Sequence, residues 1–199
     1  MKSLNVLGVS SSMREGSFGT RTVKIVLDTA QKYEAKTRLL ELRKIGMPLF
    51  NPDSDSSIQS DMKLQKVTND VNWADAYILV SPDYHGSISG AMKNFLDYYW
   101  EEFAGKTFGY ICTSHEKGLT VMDQMRTAVR QCYGWSLPYG ISVNGQEDFN
   151  KVGGVINSLL DKRLRMLARD LVVYGKLIRG QFLLDLSSDV IDTFVARYR

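Results

Sequence analysis

Residues 10–21 read SSSMREGSFGTR, directly after the apolar run LNVLGV. These are residue types that can hold an anion. Ser12, Ser17 and Thr20 offer hydroxyl donors, and Arg14 adds a planar cationic fork that suits a phosphate. Gly16 and Gly19 let the backbone pass close to a ligand. If a helix follows, its first N–H groups and its positive dipole end lie at the same place. The same residues also fit a plain polar turn before a helix capped by Ser17. Neither G-x-x-x-x-G-K-[ST] nor, after the first apolar run, G-x-G-x-x-G is present, which argues against a P-loop NTPase and a dinucleotide-binding fingerprint.

Two further polar stretches follow apolar runs. AYILV leads into SPDYHGSISGAMKNFLD, residues 81–97, and TFGYIC leads into TSHEKG, residues 113–118. Cys112 and Cys132 are the only cysteines and form no C-x-x-C pair, so neither a zinc site nor a thioredoxin-type dithiol is indicated. No metal-ligating cluster and no catalytic side chain stands out.

The elements that must position these stretches alternate. LNVLGVS, TRLLEL, AYILVS, TFGYICTS and YGISV read as short buried strands. Between them, helical spacing runs from Ser17 to Tyr33, over residues 58–74, over 89–103 and over 119–133. A long amphipathic helix is expected from Val152 to about Gly175, and a short helix capped by Ser187 or Ser188 near the end. NPDSDSSIQSD, residues 51–61, reads as a loop. Strand–helix alternation with apolar, non-alternating strands predicts an α/β fold of three layers, a parallel sheet covered by helices on both faces. Five strands fit the flavodoxin-like order 2-1-3-4-5, with a ligand beyond the C-terminal ends of the first and third strands. The loops after LNVLGV and AYILV should therefore meet in space.

The chain of 199 residues is 44% hydrophobic and 24% charged, with net charge +3. That fits one globular domain over residues 1–199 with a helical extension from about 175, and gives no reason to expect a nucleic-acid partner. No stretch reaches the roughly 18 apolar residues of a membrane span, and LNVLGV is too short for a signal-peptide core. A cytoplasmic location is the expectation.

At residues 81–97 the chain resembles the NADPH-dependent FMN reductase family, which carries P-E-Y-N-x-S-x-P-G-x-L-K-N-x-I-D there. Pro82, Tyr84, Ser87, Gly90, Lys93, Asn94 and Asp97 match; Asp83 replaces Glu, His85 replaces Asn, Ser89 replaces Pro and Met92 replaces Leu. The first loop resembles the family's G-S-x-R-x-x-S-x-N. Ser12, Arg14 and Ser17 match, Ser11 replaces Gly, and Gly19 replaces Asn. The resemblance spans roughly the first 140 residues by element order.

It implies a flavoprotein in which NADPH (or NADH) gives a hydride to FMN, and electrons then pass to a small-molecule acceptor in ping-pong fashion. That acceptor would be free flavin, a quinone, an azo compound or a metal oxyanion. The FMN phosphate would rest on Ser10, Ser12, Arg14, Ser17, Gly19 and Thr20. The ring would lie against Pro82, Asp83, Tyr84, His85, Gly86 and Ser87, bordered by Ser114 and His115. Arg14 or Lys117 are candidates for the extra phosphate of NADPH. Lys93, Asn94 and Asp97 read as structural, and the aromatic residues of DYYWEEF as core or interface. Family members imply a homodimer or homotetramer. The rival readings are a non-enzymatic flavodoxin-like electron carrier and an FMN-binding regulatory protein. An iron–sulfur flavoprotein is disfavoured, because two distant cysteines fall short of the four a cluster takes.

Overall fold

The apolar runs become the centre of a sheet. In the computed structural model, which describes residues 3–53 and 61–199, β1 (Asn5–Ser10) is buried beyond its first residue and β3 (Ala76–Pro82) at every position. Strands covered on both faces have no solvent side, which is why they do not alternate. With β2 (Lys36–Glu41), β4 (Thr107–Thr113) and β5 (Trp135–Val143) they form one parallel sheet in the order β2-β1-β3-β4-β5, as expected. The register pairs Ser10 with Val80 and Pro82 with Thr113. β3 and β4 thus end level and β1 ends two residues short of them, and the three loops that follow emerge at the same end of the sheet.

Helices α1 (Phe18–Gln31), α2 (Leu42–Ile45), α3 (Met62–Trp73), α4 (Gly90–Asp97), α5 (Leu119–Gln131), α6 (Gly145–Asp148) and α7 (Ser158–Leu186) complete the layers. Val23 and Val26 of α1 and Leu164, Leu167 and Leu171 of α7 pack on one face of the sheet. Val67 and Val71 of α3, Phe95 of α4 and Val121, Met125 and Val129 of α5 pack on the other. The aromatic residues after α4 are largely core: Tyr99 and Phe103 are buried with Tyr77 and Phe108, whose rings stack at 4.6 Å, while Trp100 stays exposed.

Several boundaries differ from the sequence reading. The helix over 58–74 runs from Met62 to Trp73, capped by Asp61; residues 54–60, including Ile58, lie outside the described residues. The helix over 89–103 stops at Asp97, and a 3₁₀ turn covers Glu101–Phe103. β5 begins at Trp135, before YGISV. The long helix is Ser158–Leu186, not Val152–Gly175. Its start is fixed by Asn157, whose side chain accepts from the amides of Leu159 and Leu160, and Val155 instead bridges to Phe149. Gly175 does not stop it. A Cβ there would lie 2.8 Å from Leu4 Cδ2, so this glycine serves a close crossing over the sheet. Ser187 ends α7, and the tail forms only a 3₁₀ turn at Phe194–Tyr198. That turn packs Val195 against Phe182 and Ala104.

One charge lies deep in this frame. Lys106, 5% exposed before β4, donates from Nζ to the Val71 carbonyl at 2.9 Å and sits 5.6 Å above the Tyr77 ring. Burial above all, with Arg179, pulls its pKa down from 10.5 to about 8 against the opposing pull of Asp75 and Glu102.

Candidate functional site

The first loop leaves β1 at Ser10 and enters α1 at Phe18. Ser17 caps the helix by accepting from the Thr20 amide at 3.1 Å, and its hydroxyl meets the Thr20 hydroxyl at 3.0 Å. Thr20 also meets Ser10 Oγ at 2.9 Å, so its hydroxyl ties the end of β1 to the first turn of α1. Capping uses the third amide of the helix. Those of Phe18 and Gly19 have no intrahelical acceptor, as helix geometry dictates, and point out of the end with the positive dipole. Arg14 is exposed, and its guanidinium has no polar partner among the described residues, while Glu15 pairs with Arg43 at 3.2 Å. Gly19 is explained by packing. A Cβ at this position would lie 3.2 Å from Val80 Cγ1 and 3.6 Å from Thr113 Cγ2, so α1 starts directly over the ends of β3 and β4.

Arg21, which the sequence reading left aside, also borders this loop. Its guanidinium lies 5.6 Å from the Phe18 ring centroid, and Cβ atoms added at Gly16 and Gly153 would come close to it. Its closeness to Gly153 needs a fold to become visible, since the two are remote in sequence.

The second loop is a tight turn. Tyr84 and Ser87 exchange backbone hydrogen bonds at 3.1 and 3.2 Å, with His85 at φ +59° and Gly86 at φ +76° between them. Two consecutive positive φ angles are the signature of a type I′ turn. Asp83 holds the turn from below. Its Oδ1 accepts from the Gly86 amide at 2.7 Å and its Oδ2 from Ser114 Oγ at 3.1 Å, and its own amide donates to the Thr113 carbonyl at 2.9 Å. Four of the five amides from 83 to 87 are therefore engaged inside the protein, and that of His85 has no partner among the described residues. Gln124 of α5, which no sequence signal marks, accepts from Ser87 Oγ and the Ile88 amide, both at 3.0 Å.

The third loop joins here through Ser114, whose amide donates to the Val143 carbonyl at 3.0 Å. Tyr84, His85 and His115 are exposed around the rim, and Pro82 is buried at the end of β3. Lys93 and Asn94 are structural. Lys93 pairs with Asp97, and Asn94 accepts from the Phe50 amide and donates to the Pro48 carbonyl, both at 2.8 Å. Cys112 is buried beneath this junction; desolvation, with a contribution from Asp83, pushes its thiol up to about 12.

Two departures from the family pattern prove to be one feature. Ser89 Oγ accepts from the Met92 amide at 3.2 Å, capping α4, and donates to Ser11 Oγ at 2.8 Å. Ser11 in turn donates from both its amide and its hydroxyl to the Val80 carbonyl, at 3.0 and 3.1 Å. Ser81 Oγ accepts from the Ser89 amide at 3.0 Å. Ser11, Ser81 and Ser89 are all buried, and each of these three hydroxyls has an acceptor, so this serine network is satisfied. The serine in place of Gly and the serine in place of Pro clasp the two loops together.

Fold and site define a class: a flavodoxin-like α/β protein with a serine-capped helix start and a tight polar turn side by side at the switch point of the sheet. Residues 4–148 match the family described as NADPH-dependent FMN reductase, and the chain belongs to that family. It is similar to an FMN-dependent NADPH-azoreductase of Staphylococcus saprophyticus, 26% identical over 175 residues that cover 85% of this chain and 90% of the relative. It is also similar to an NAD(P)H-dependent FAD/FMN reductase of Geobacillus thermodenitrificans, 25% identical over 177 residues, 85% of this chain and 92% of the relative. Among solved structures, the flavoenzyme NAD(P)H:(acceptor) oxidoreductase of Paracoccus denitrificans shares the fold. Its TM-score is 0.72 at 18% identity, covering 87% of this chain and 98% of that one. The chain is thus an oxidoreductase of the NAD(P)H-dependent FMN reductase type, with FMN and NAD(P)H as cofactors. No helix among the described residues is long and apolar enough to cross a membrane.

Proposed function

We propose that this chain reduces a small-molecule acceptor at the expense of NADPH, with FMN seated across the loops that follow β1, β3 and β4. The observation that carries this reading is the pairing of free donors at one end with a stiff turn at the other. Among the described residues, the Phe18 and Gly19 amides and the Arg14 guanidinium are left unpaired around the first loop, and on the neighbouring strand's loop the His85 N–H is left over in a turn whose other amides are taken. A planar ring on a phosphate-tailed chain matches that layout. When bound there, FMN would supply the redox chemistry, hydride acceptance from the nicotinamide nucleotide and electron donation to an acceptor such as free flavin, a quinone, an azo compound or a metal oxyanion, in a ping-pong cycle.

The side chains orient and tune. Ser12, Arg14 and the helix amides hold the phosphate, while Ser10, Ser17 and Thr20, whose hydroxyls are bonded to one another, hold the loop that presents them. The His85 amide gives a fixed dipole to the polar edge of the ring, where charge develops. Asp83, Ser87 and Ser114 keep that dipole in place through the bonds described above. Pro82 and Tyr84 give the ring an apolar and aromatic border, Gly86 completes the turn, and His115 stands at the mouth. Relatives named as azoreductases support the azo class of acceptor. Assembly as a homodimer or homotetramer belongs to the same proposal, supported by exposed apolar residues Leu177, Leu184, Val190 and Ile191 along the end of α7 and the tail.

Anaerobic spectroscopy tests the reading. FMN added to the purified chain should bind, and NADPH should bleach its absorbance. An FMN-loaded chain that NADPH does not bleach would instead favour the electron carrier or a regulatory protein. Arg14→Ala should weaken FMN roughly 10-fold or more, since a charge-assisted hydrogen bond is worth about 1.5–3 kcal/mol, and riboflavin much less. Equal losses for both ligands would remove the phosphate from the first loop.

A further inference from the structure

Two cavities meet at Asp123 and Thr127 of α5. The larger, about 870 Å³, begins at Ser87 of the second loop and continues past Thr120 and Gln124. The smaller, about 430 Å³, is lined by Arg126, Arg130 and Trp135. Both are bounded by Asp123 and Thr127, so they adjoin along α5, between the turn that faces the proposed flavin ring and the start of the edge strand β5. From Thr120 to Arg130 the helix rises about 15 Å at 1.5 Å per residue. That is a span suited to an extended dinucleotide, and each cavity falls within the size range of ligand sites.

The far end of the groove has the chemistry of a nucleotide site. Arg126 is fixed in place: its Nη1 donates to Asp123 Oδ1 at 2.7 Å, and its guanidinium lies 5.5 Å from the Tyr110 ring centroid. That ion pair neutralises Asp123, the one carboxylate in the lining. Arg130 has no polar partner among the described residues, which leaves a net positive charge in the smaller cavity. In the last turn of α5 it also complements the helix dipole, but this does not call for an aromatic opposite it. Trp135 opens β5 with 49% of its surface exposed, on the edge strand where nothing else covers it among the described residues. A guanidinium beside an exposed indole suits a phosphate attached to a flat base.

We propose that this groove seats the adenosine half of NADPH, with Arg130, assisted by Arg126, reading the 2′-phosphate and Trp135 backing the adenine. This rests on the function proposed above. It places preference for NADPH over NADH on α5 and β5, in place of Arg14 or Lys117. The nicotinamide then reaches Ser87 and Thr120 at the near end.

The test uses two readouts. With FMN-loaded protein, Arg130→Ala should raise KM for NADPH roughly 10- to 100-fold, the value of one or two charge-assisted bonds to phosphate, and leave kcat and KM for NADH unchanged. Without turnover, calorimetric titration with adenosine 2′,5′-bisphosphate should show tighter binding than with 5′-AMP, and Arg130→Ala should abolish the difference. Trp135→Leu should weaken both ligands. Equal KM changes for NADPH and NADH, or equal affinity of the wild type for the two adenosine phosphates, would overturn the assignment. So would self-association of the protein that blocks the bisphosphate, because the groove would then belong to a second copy. If neither nucleotide reduces FMN, the proposed function fails, and the bisphosphate titration still decides this site.

Discussion

Replacing Lys106 by Met should make the protein more stable at neutral pH. A lysine whose pKa falls from 10.5 to about 8 on folding carries a penalty of about 3 kcal/mol when protonated, at about 1.4 kcal/mol per tenfold change. The unfolded chain keeps its proton up to the ordinary value. Between pH 8 and 10.5 the unfolded state therefore binds more protons, and this group's contribution makes stability rise with pH across that window. Methionine keeps the apolar stem and removes the charge. The Val71 carbonyl keeps a donor, because the Tyr77 hydroxyl also bonds it, at 2.6 Å. Asp75 keeps Arg179 at 3.2 Å and the Asn5 amide at 3.0 Å. Allowing for the lost charged hydrogen bond, the expected gain at pH 7 is about 2 kcal/mol. Urea unfolding of both proteins at pH 7 and pH 9.5 measures it. The wild type should close most of the gap at the higher pH. Tyr77 and Tyr99, both pushed up chiefly by burial, titrate in both proteins and cancel in the difference. A variant less stable than wild type at pH 7, or a gap that does not shrink with pH, would refute the reasoning.

Other outcomes follow from the clasp and its surroundings. Ser89→Ala removes the cap of α4 and the bond to Ser11, and should cost about 1–2 kcal/mol in thermal or urea unfolding. Gly19→Ala should destabilise by pressing on Val80, and Val80→Ala should relieve part of that cost in the double variant, as a double-mutant cycle would show. Alkylation by iodoacetamide at pH 8 should reach the half-buried Cys132 before Cys112, whose thiol is both buried and held protonated, with peptide mass mapping as the readout.

The sheet could be read from sequence because β1 and β3 are unbroken apolar runs, and only the centre of a covered parallel sheet asks for that. The meeting of the first and second loops followed from strand order. Lengths were harder. Gly175 looks like a stop in one dimension and is a contact surface in three, and Ser187 follows a helix that the apolar pattern alone ends too early. Within the site, residue types at 10–21 and 81–90 showed what could be donated, but not which donors were already used. Asp83 occupies the Gly86 amide, Ser17 that of Thr20, and Gln124 holds the turn from another helix. Ser11 and Ser89 each looked like an isolated departure, since nothing in a single sequence says that positions 78 apart touch.

The serine clasp also bears on how fast a ligand comes and goes. Because Ser11, Ser81 and Ser89 bolt the two loops to each other and to the Val80 carbonyl, the empty pocket has few ways to rearrange. A ligand entering it loses its own freedom but has little of the protein's to quench. Association should then proceed at the rate of encounter, with no slow closing phase, and the residence time should depend on the phosphate and ring contacts and not on a reopening step. Amide hydrogen exchange at Ser11 and Ser89 should be slow even in the empty protein, as it is for a part cut to shape before assembly.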